Sequence, residues 1–113
     1  MHELSLMAAL RDQALAEARR HGAEQITAIR LRIGSLAGVE PDALQLAYAV
    51  VMEGSIAAGA ELVIELVPAR CWCRPCEACF VADQGVCECP RCGTLSRELR
   101  QGRELQLVSL EIS

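Results

Sequence analysis

The sequence predicts an α/β fold with two helices and a small three-stranded sheet, and a cysteine-rich segment inserted before the last strand. Two stretches show the three-and-four spacing of amphipathic helices, and three others show strand patterns. All seven cysteines lie between residues 71 and 92 of the 113-residue chain. Apolar residues make up 52% of the sequence but aromatic residues only 3%, so we expect a core of aliphatic side chains.

The first helix is predicted over residues 4–20 and the first strand from residue 27. Apolar residues recur along the helix at Leu6, Met7, Leu10, Ala14 and Ala18. Gly22 follows at a position typical of a helix C-cap. In the strand, strict alternation places one set of side chains on a common face, namely Thr27, Ile29, Leu31 and Ile33. This alternation predicts a half-buried strand.

The second helix follows a turn at residues 34–38, and two more strands follow it. Pro41 marks a first helical position, and an apolar stripe leads to Gly54 through Leu44, Ala47, Tyr48 and Val51. A second strand is predicted from the alternation of Leu62, Ile64 and Leu66 with their neighbours. The third strand is predicted over residues 104–112, with an ambiguous facing because Leu107 and Val108 are adjacent. Residues 1–70 with 103–113 are thus predicted as one domain and 71–102 as an inserted one.

The insertion carries two Cys-x-x-Cys pairs with the spacing of a structural zinc site. We predict a zinc-ribbon or knuckle whose four ligands are Cys73, Cys76, Cys89 and Cys92. Proline within each pair and glycine after the second favour this set, and Cys76 with Cys79 is the alternative first pair. Four thiolates leave no open position on the metal, so the site is predicted to be structural. Cys71, Cys79 and Cys87 are expected to be small buried or half-exposed thiols, with ligand exchange as the alternative.

Composition excludes several classes of protein. The net charge of −4 argues against a nucleic-acid-binding surface, and no apolar run is long enough for a membrane helix. No signal peptide precedes the first helix, so we expect a cytoplasmic protein. Clustered cysteines of odd number in a reducing compartment favour metal binding over a disulfide framework. No nucleophile stands beside a base, so an enzyme is not expected.

His2 is a candidate ligand for a transition metal. A free amine, an imidazole and the intervening backbone nitrogens can close chelate rings around Ni²⁺ or Cu²⁺, which favour nitrogen donors. The alternative is an ordinary disordered terminal side chain.

Several segments of the chain match the sequence pattern of a known family, among them His21-Gly22-Ala23 and Leu31-Arg32-Ile33-Gly34. Together with Met1-His2-Glu3-Leu4-Ser5 and the two cysteine pairs, they make the whole chain resemble the HypA/HybF family of hydrogenase-maturation nickel metallochaperones.

The resemblance implies a protein with two metal sites. Nickel would be a transient cargo bound at the N-terminus through His2 and backbone nitrogens of the first residues, and zinc would stay in the four-cysteine site. Glu3 matches the family motif and is expected to set nickel-site geometry or contact a partner, although it also suits the start of a helix. The implied partners are a HypB-type GTPase and the large subunit of [NiFe]-hydrogenase. A monomer and a homodimer are both open, as is service to urease.

The competing hypothesis is a zinc-ribbon module that binds protein or nucleic acid, in which His2 has no role. Such a module would be indifferent to nickel, and nucleic-acid binding would depend on salt. His21 is expected to be a cation at a helix C-terminus, without a role in metal binding.

Overall fold

The computed structural model describes residues 2–82 and 86–113, without the side chain of His2. Its elements in chain order are α1 (His2–Arg20), β1 (Ile26–Gly34), α2 (Pro41–Val51), β2 (Glu61–Val67), β3 (Arg70–Cys73), β4 (Ala78–Val81), β5 (Glu98–Gln101) and β6 (Leu105–Ile112). One sheet has the strand order β2-β1-β6 and the other β4-β3-β5. The predicted fold class is confirmed. The second sheet lies in the cysteine-rich insertion, where no strand was predicted.

The chain divides into two compact units. Unit 1 comprises Met1–Arg32, Val39–Glu65 and Gln106–Ser113, and unit 2 comprises Ile33–Gly38 and Leu66–Leu105. The predicted division into a nickel-binding domain at residues 1–70 with 103–113 and a zinc-binding domain at 71–102 stays a prediction.

Helix α1 forms where its periodicity predicted. The buried residues of its stripe are Met7, Leu10, Ala14 and Ala18. Gly22 has a φ of 66°, a left-handed conformation that favours glycine. The N–H of Gly22 donates to Arg19 and that of Ala23 donates to Ala18, at 3.1 and 3.0 Å. These two bonds make a Schellman motif, which satisfies the last carbonyls of the helix.

Helix α2 begins at Pro41, as predicted, and packs against α1 within unit 1. Leu44, Ala47 and Tyr48 are its buried residues. The Tyr48 hydroxyl donates a 2.8 Å hydrogen bond to the Ala60 carbonyl, so its polar end is satisfied although the ring is buried. Across the described residues, no helix is long and apolar enough to cross a membrane.

Strand β1 follows the predicted alternation only from its middle onward. Ile29, Leu31 and Ile33 are buried, but Thr27 is exposed, and Ile26 is buried in its stead. The Thr27 hydroxyl donates to the Glu111 carbonyl at 3.1 Å, which gives this polar side chain a partner on β6. The burial expected for Thr27 from the alternation is therefore wrong.

The two edge strands of the first sheet are less buried than β1. In β2, Leu62 and Ile64 are half-buried, whereas Leu66 is 61% exposed and Val67 is buried. The alternation thus breaks at the end of β2. In β6, Leu107 is half-buried and Val108 is exposed, which resolves the facing that the sequence left open.

Candidate metal centre

Two tight turns in unit 2 present the four predicted ligands. The first turn, Cys73–Cys76, follows β3, and the second, Cys89–Cys92, follows an isolated bridge between Glu88 and Leu95. The N–H of Gly93 donates to the Cys89 carbonyl at 2.8 Å, and the N–H of Cys89 donates to Thr94 at 2.9 Å. These bonds hold the second turn closed.

The residue after each turn adopts a left-handed conformation. Gly93 has a φ of 74° and Glu77 a φ of 49°, so the two turns match at this position. Glycine takes this conformation at little cost, whereas glutamate does so only where the surrounding structure requires it. The sequence indicated the glycine but not its counterpart, because Glu77 carries no local turn signal.

The sulfur atoms of the four cysteines form one cluster. Cys73 Sγ lies 3.5 Å from Cys92 Sγ, and Cys76 Sγ lies 3.9 Å from Cys89 Sγ. All four sulfurs are within 4.8 Å of one another. Ligands about 2.3 Å from a tetrahedral zinc would lie roughly 3.8 Å apart. The cluster therefore fits a tetrahedral metal ion, and thiolate donors are those that zinc prefers in closed sites.

The four thiols of the cluster differ in acidity. Hydrogen bonds from the side chain and backbone of Thr94 lower the pKa of Cys92 to about 6. The backbone N–H of Cys92 lowers the pKa of Cys89. Hydrogen bonds with the thiols of Cys92 and Cys73 raise the pKa of Cys76 to about 12. The four thiols do not all lose their protons together, because four negative charges at this distance would repel one another. A bound divalent cation would relieve that repulsion.

The pKa of Cys73 is likewise set by opposing effects of its neighbours. The backbone N–H of Cys76 lowers its pKa, but desolvation and the thiols of Cys92 and Cys89 outweigh this effect, so the pKa is raised. Cys73 and Cys89 are buried, Cys76 is half-buried and Cys92 is exposed. The arrangement could hold a metal ion with two of its four ligands shielded from water.

The spare cysteines have different surroundings. Cys79 is an exposed free thiol outside the four-sulfur cluster, so the alternative pair of Cys76 with Cys79 is not the one that the structure brings together. Cys71 is buried, Cys87 is half-buried, and the two are joined by a disulfide. The expectation of free thiols is wrong for this pair. The pairing in the second sheet brings them together, a contact that spacing alone did not reveal.

The predicted nickel-site residues lie at the start of α1. His2 is the first residue of the helix, but its side chain and Met1 lie outside the described residues. Glu3 is half-buried in the first turn. His21 is exposed at the other end of α1, and its Nε2 lies 3.2 Å from Glu17 Oε1. That contact is a local pair on one helix face, as expected for a residue at a helix C-terminus.

Fold and site together define an α/β protein with a closed four-cysteine metal centre. The chain belongs to the family described as hydrogenase/urease nickel incorporation, metallochaperone, HypA, which it matches over residues 1–112. The resemblance stated from the sequence is thereby confirmed.

Individual relatives agree with this assignment. The hydrogenase maturation factor HypA of Picosynechococcus sp. is 39% identical over 112 residues, and that of Synechococcus elongatus is 45% identical; in both, 99% of each chain is covered. The solution structure of the Ni metallochaperone HypA from Helicobacter pylori superposes with a TM-score of 0.68 at 25% identity, covering 97% of this chain and 96% of that one. A second solution structure of a HypA protein gives a TM-score of 0.72 at 26% identity, with 100% and 97% coverage.

Proposed function

We propose that this protein is a nickel metallochaperone that binds Ni²⁺ through His2 and delivers it to the large subunit during [NiFe]-hydrogenase maturation. The observation that carries the proposal is the match to the HypA family over residues 1–112, which includes both the N-terminus and the four-cysteine cluster. A HypB-type GTPase is the expected partner in delivery, and the cytoplasm the expected compartment. The protein would have no catalytic turnover of its own.

The position of α1 supports nickel binding at the N-terminus. The helix begins at His2, and the first N–H groups of any α-helix lack an acceptor within the helix. The backbone nitrogens next to His2 are therefore not committed to helical hydrogen bonds. Together with the terminal amine and the imidazole, they supply the nitrogen donors that Ni²⁺ favours. An accessible site of this kind suits a cargo that must be released.

The four-cysteine centre would hold zinc permanently. Cys73, Cys76, Cys89 and Cys92 are its ligands in this proposal, and the metal would serve to hold unit 2 in its fold. A closed thiolate site offers no coordination position to a substrate. The nickel and zinc sites thus differ in donor atoms, in access and in the expected lifetime of the bound metal.

The charges around the cysteines favour this function over nucleic-acid binding. Arg74 forms an ion pair with Glu98, and Arg100 lies 3.4 Å from the same carboxylate. These arginines are partly neutralised by one acidic side chain, so they are poorly placed to bind successive phosphates. A zinc-ribbon that docks on protein remains the second candidate.

Calorimetric titration with nickel at neutral pH tests the proposal. The protein should be zinc-loaded and should keep its native, untagged N-terminus, because an extension would remove the free amine. We expect stoichiometric nickel binding in the unaltered protein and its loss in His2→Ala, with zinc retained in both. His21→Ala is the matched control, since the chain has two histidines. Absence of nickel binding in the unaltered protein would instead favour the docking module.

A further inference from the structure

Cys71 and Cys87 lie outside the four-sulfur cluster and have no part in the proposed nickel or zinc chemistry. Each stands two residues before a predicted ligand, Cys71 before Cys73 and Cys87 before Cys89. We propose that these two cysteines form a redox-active dithiol that reacts with low-molecular-weight disulfides, of which oxidised glutathione is the type. The bond that closes would join the two ligand turns independently of the metal.

The backbone around both cysteines is set by pairing within unit 2. Cys71 lies in the middle strand of the second sheet, opposite Phe80 on β4 and Leu99 on β5. The Cys87 carbonyl accepts a 2.7 Å hydrogen bond from the N–H of Ser96. The two Cα atoms are 6.0 Å apart, within the range that a disulfide spans without backbone movement. The fold therefore places the pair ready to react in either oxidation state.

The cross-link connects the same two parts of the chain that the metal connects. Cys71 precedes the first ligand turn, and Cys87 precedes the second. Both pack in one buried cluster with Cys73 and Cys89. A bond between them restricts the metal-free chain and keeps the two turns near each other. We expect the oxidised protein to bind zinc about tenfold to a hundredfold more tightly than the reduced protein, from the loop-closure entropy of such a link.

The reaction is a pair of thiol–disulfide exchanges. Cys87 is the more accessible partner, and its sulfur attacks one sulfur of glutathione disulfide, which releases one glutathione thiol and leaves a mixed disulfide on Cys87. The Cys71 sulfur then attacks the Cys87 sulfur and releases the second glutathione thiol. The protein gives up two protons and two electrons, and glutathione disulfide takes them up as two thiols. The structure shows the oxidised form of the pair, and in a reducing compartment the same pair would be a dithiol.

Peptide mapping without reduction tests the site on the full-length, zinc-loaded chain. After equilibration in glutathione redox buffers, we expect a linked peptide that joins Cys71 to Cys87, with zinc retained as measured by mass spectrometry of the metal. Cys87→Ser should lack the link, whereas Cys79→Ser, which removes the exposed thiol, should form it as the unaltered protein does. Absence of the link, or its appearance only after zinc is lost, would overturn the proposal.

Zinc affinity measured by chelator competition tests the consequence without any variant. The reduced and oxidised forms of the unaltered protein are compared, and equal affinities would overturn the stapling role. This inference rests on the proposed zinc occupancy but not on nickel. Failure of the reduced protein to bind zinc would reject the proposed metal centre, whereas zinc binding by a protein that forms no Cys71–Cys87 bond in any of the glutathione buffers would reject the dithiol alone.

Discussion

Unit 1 and unit 2 differ in the side chains that they bury. Unit 1 buries large aliphatic residues from both helices and from β1, among them Met7, Leu31 and Leu44. The buried cluster around the cysteines of unit 2 consists of Ala69, Cys71, Cys73, Phe80, Ala82 and Cys89. Among these described residues Phe80 is the one large hydrocarbon side chain. Because burial free energy grows with apolar area, this cluster gains less from packing than the core of unit 1, and we expect it to depend on bonds to sulfur.

The largest effect that would test this contrast is loss of the metal. Cys73→Ser removes a buried ligand, and we expect zinc stoichiometry to fall from one per chain to near zero. For comparable sites, metal binding supplies on the order of 10–16 kcal/mol of folding free energy, so unit 2 should unfold. Trp72, the chain's single tryptophan, lies in β3 and reports on unit 2 by fluorescence.

The matched control is Cys79→Ser, which changes an exposed cysteine outside the cluster. It should keep both zinc and the native Trp72 emission. Helical circular dichroism reports on unit 1, which contains both helices. If unit 2 stayed folded in metal-free Cys73→Ser under reducing conditions, the inference that unit 2 depends on bonds to sulfur would be wrong.

A cavity in the core of unit 1 should destabilise unit 1 and leave zinc bound to unit 2. Leu44 is fully buried on α2, so Leu44→Ala should lower the free energy of unfolding of unit 1 by about 2–5 kcal/mol. Leu46 is 73% exposed on the same helix, and Leu46→Ala should change it by less than about 0.5 kcal/mol. Denaturant titration followed by circular dichroism measures both. Loss of zinc from Leu44→Ala under native conditions would show that the units are not independent.

Acidification should separate the two proposed metals. To bind nickel, the terminal amine and the His2 imidazole must lose protons, and their reference pKa values are about 8 and 6.5. From these values nickel affinity should fall at least about 30-fold, or roughly 2 kcal/mol, between about pH 7.5 and 6.3. Zinc should stay bound over the same range because four thiolates hold it. Calorimetry at several pH values gives the affinity, and a flat profile would contradict the nitrogen-donor site.

The smallest expected effect concerns the one buried hydroxyl of α2. Tyr48→Phe leaves the Ala60 carbonyl without its 2.8 Å donor and should cost about 0.5–1.5 kcal/mol in unit 1. Burial raises the pKa of Tyr48 above 10.0. The unfolded chain therefore loses this proton first as pH rises, so stability should decline above about pH 10.

Tyr48→Phe should remove that part of the alkaline decline, since phenylalanine does not titrate. Thermal unfolding followed by far-ultraviolet circular dichroism at pH 7 and above pH 10 measures it. An equal alkaline decline in both proteins would show that another group is responsible.

Local patterns were sufficient for the helices and for much of the first sheet. The spacing of Leu10, Ala14 and Ala18 in α1 and the start of α2 at Pro41 follow from periodicity and from the fixed φ of proline. The four-sulfur cluster likewise brings together the cysteines whose spacing predicted a metal site. The helices and each Cys-x-x-Cys pair depend on neighbours within a few residues, so local patterns were enough to predict them, whereas the meeting of the two pairs was inferred from the chemistry of a four-thiolate site.

Long-range packing determined what the patterns missed. Gly34 and Gly102 show the reason, because a Cβ on Gly34 would lie 2.1 Å from the backbone of Gly102, and nothing in either local sequence indicates that approach. The exposure of Thr27 and the pairing of Cys71 with Cys87 also depend on partners far along the chain. The sequence by itself determined the two helices, most of the first sheet and the family. Tertiary structure decided which chain segments meet, because those contacts join residues whose separation carries no periodic signal.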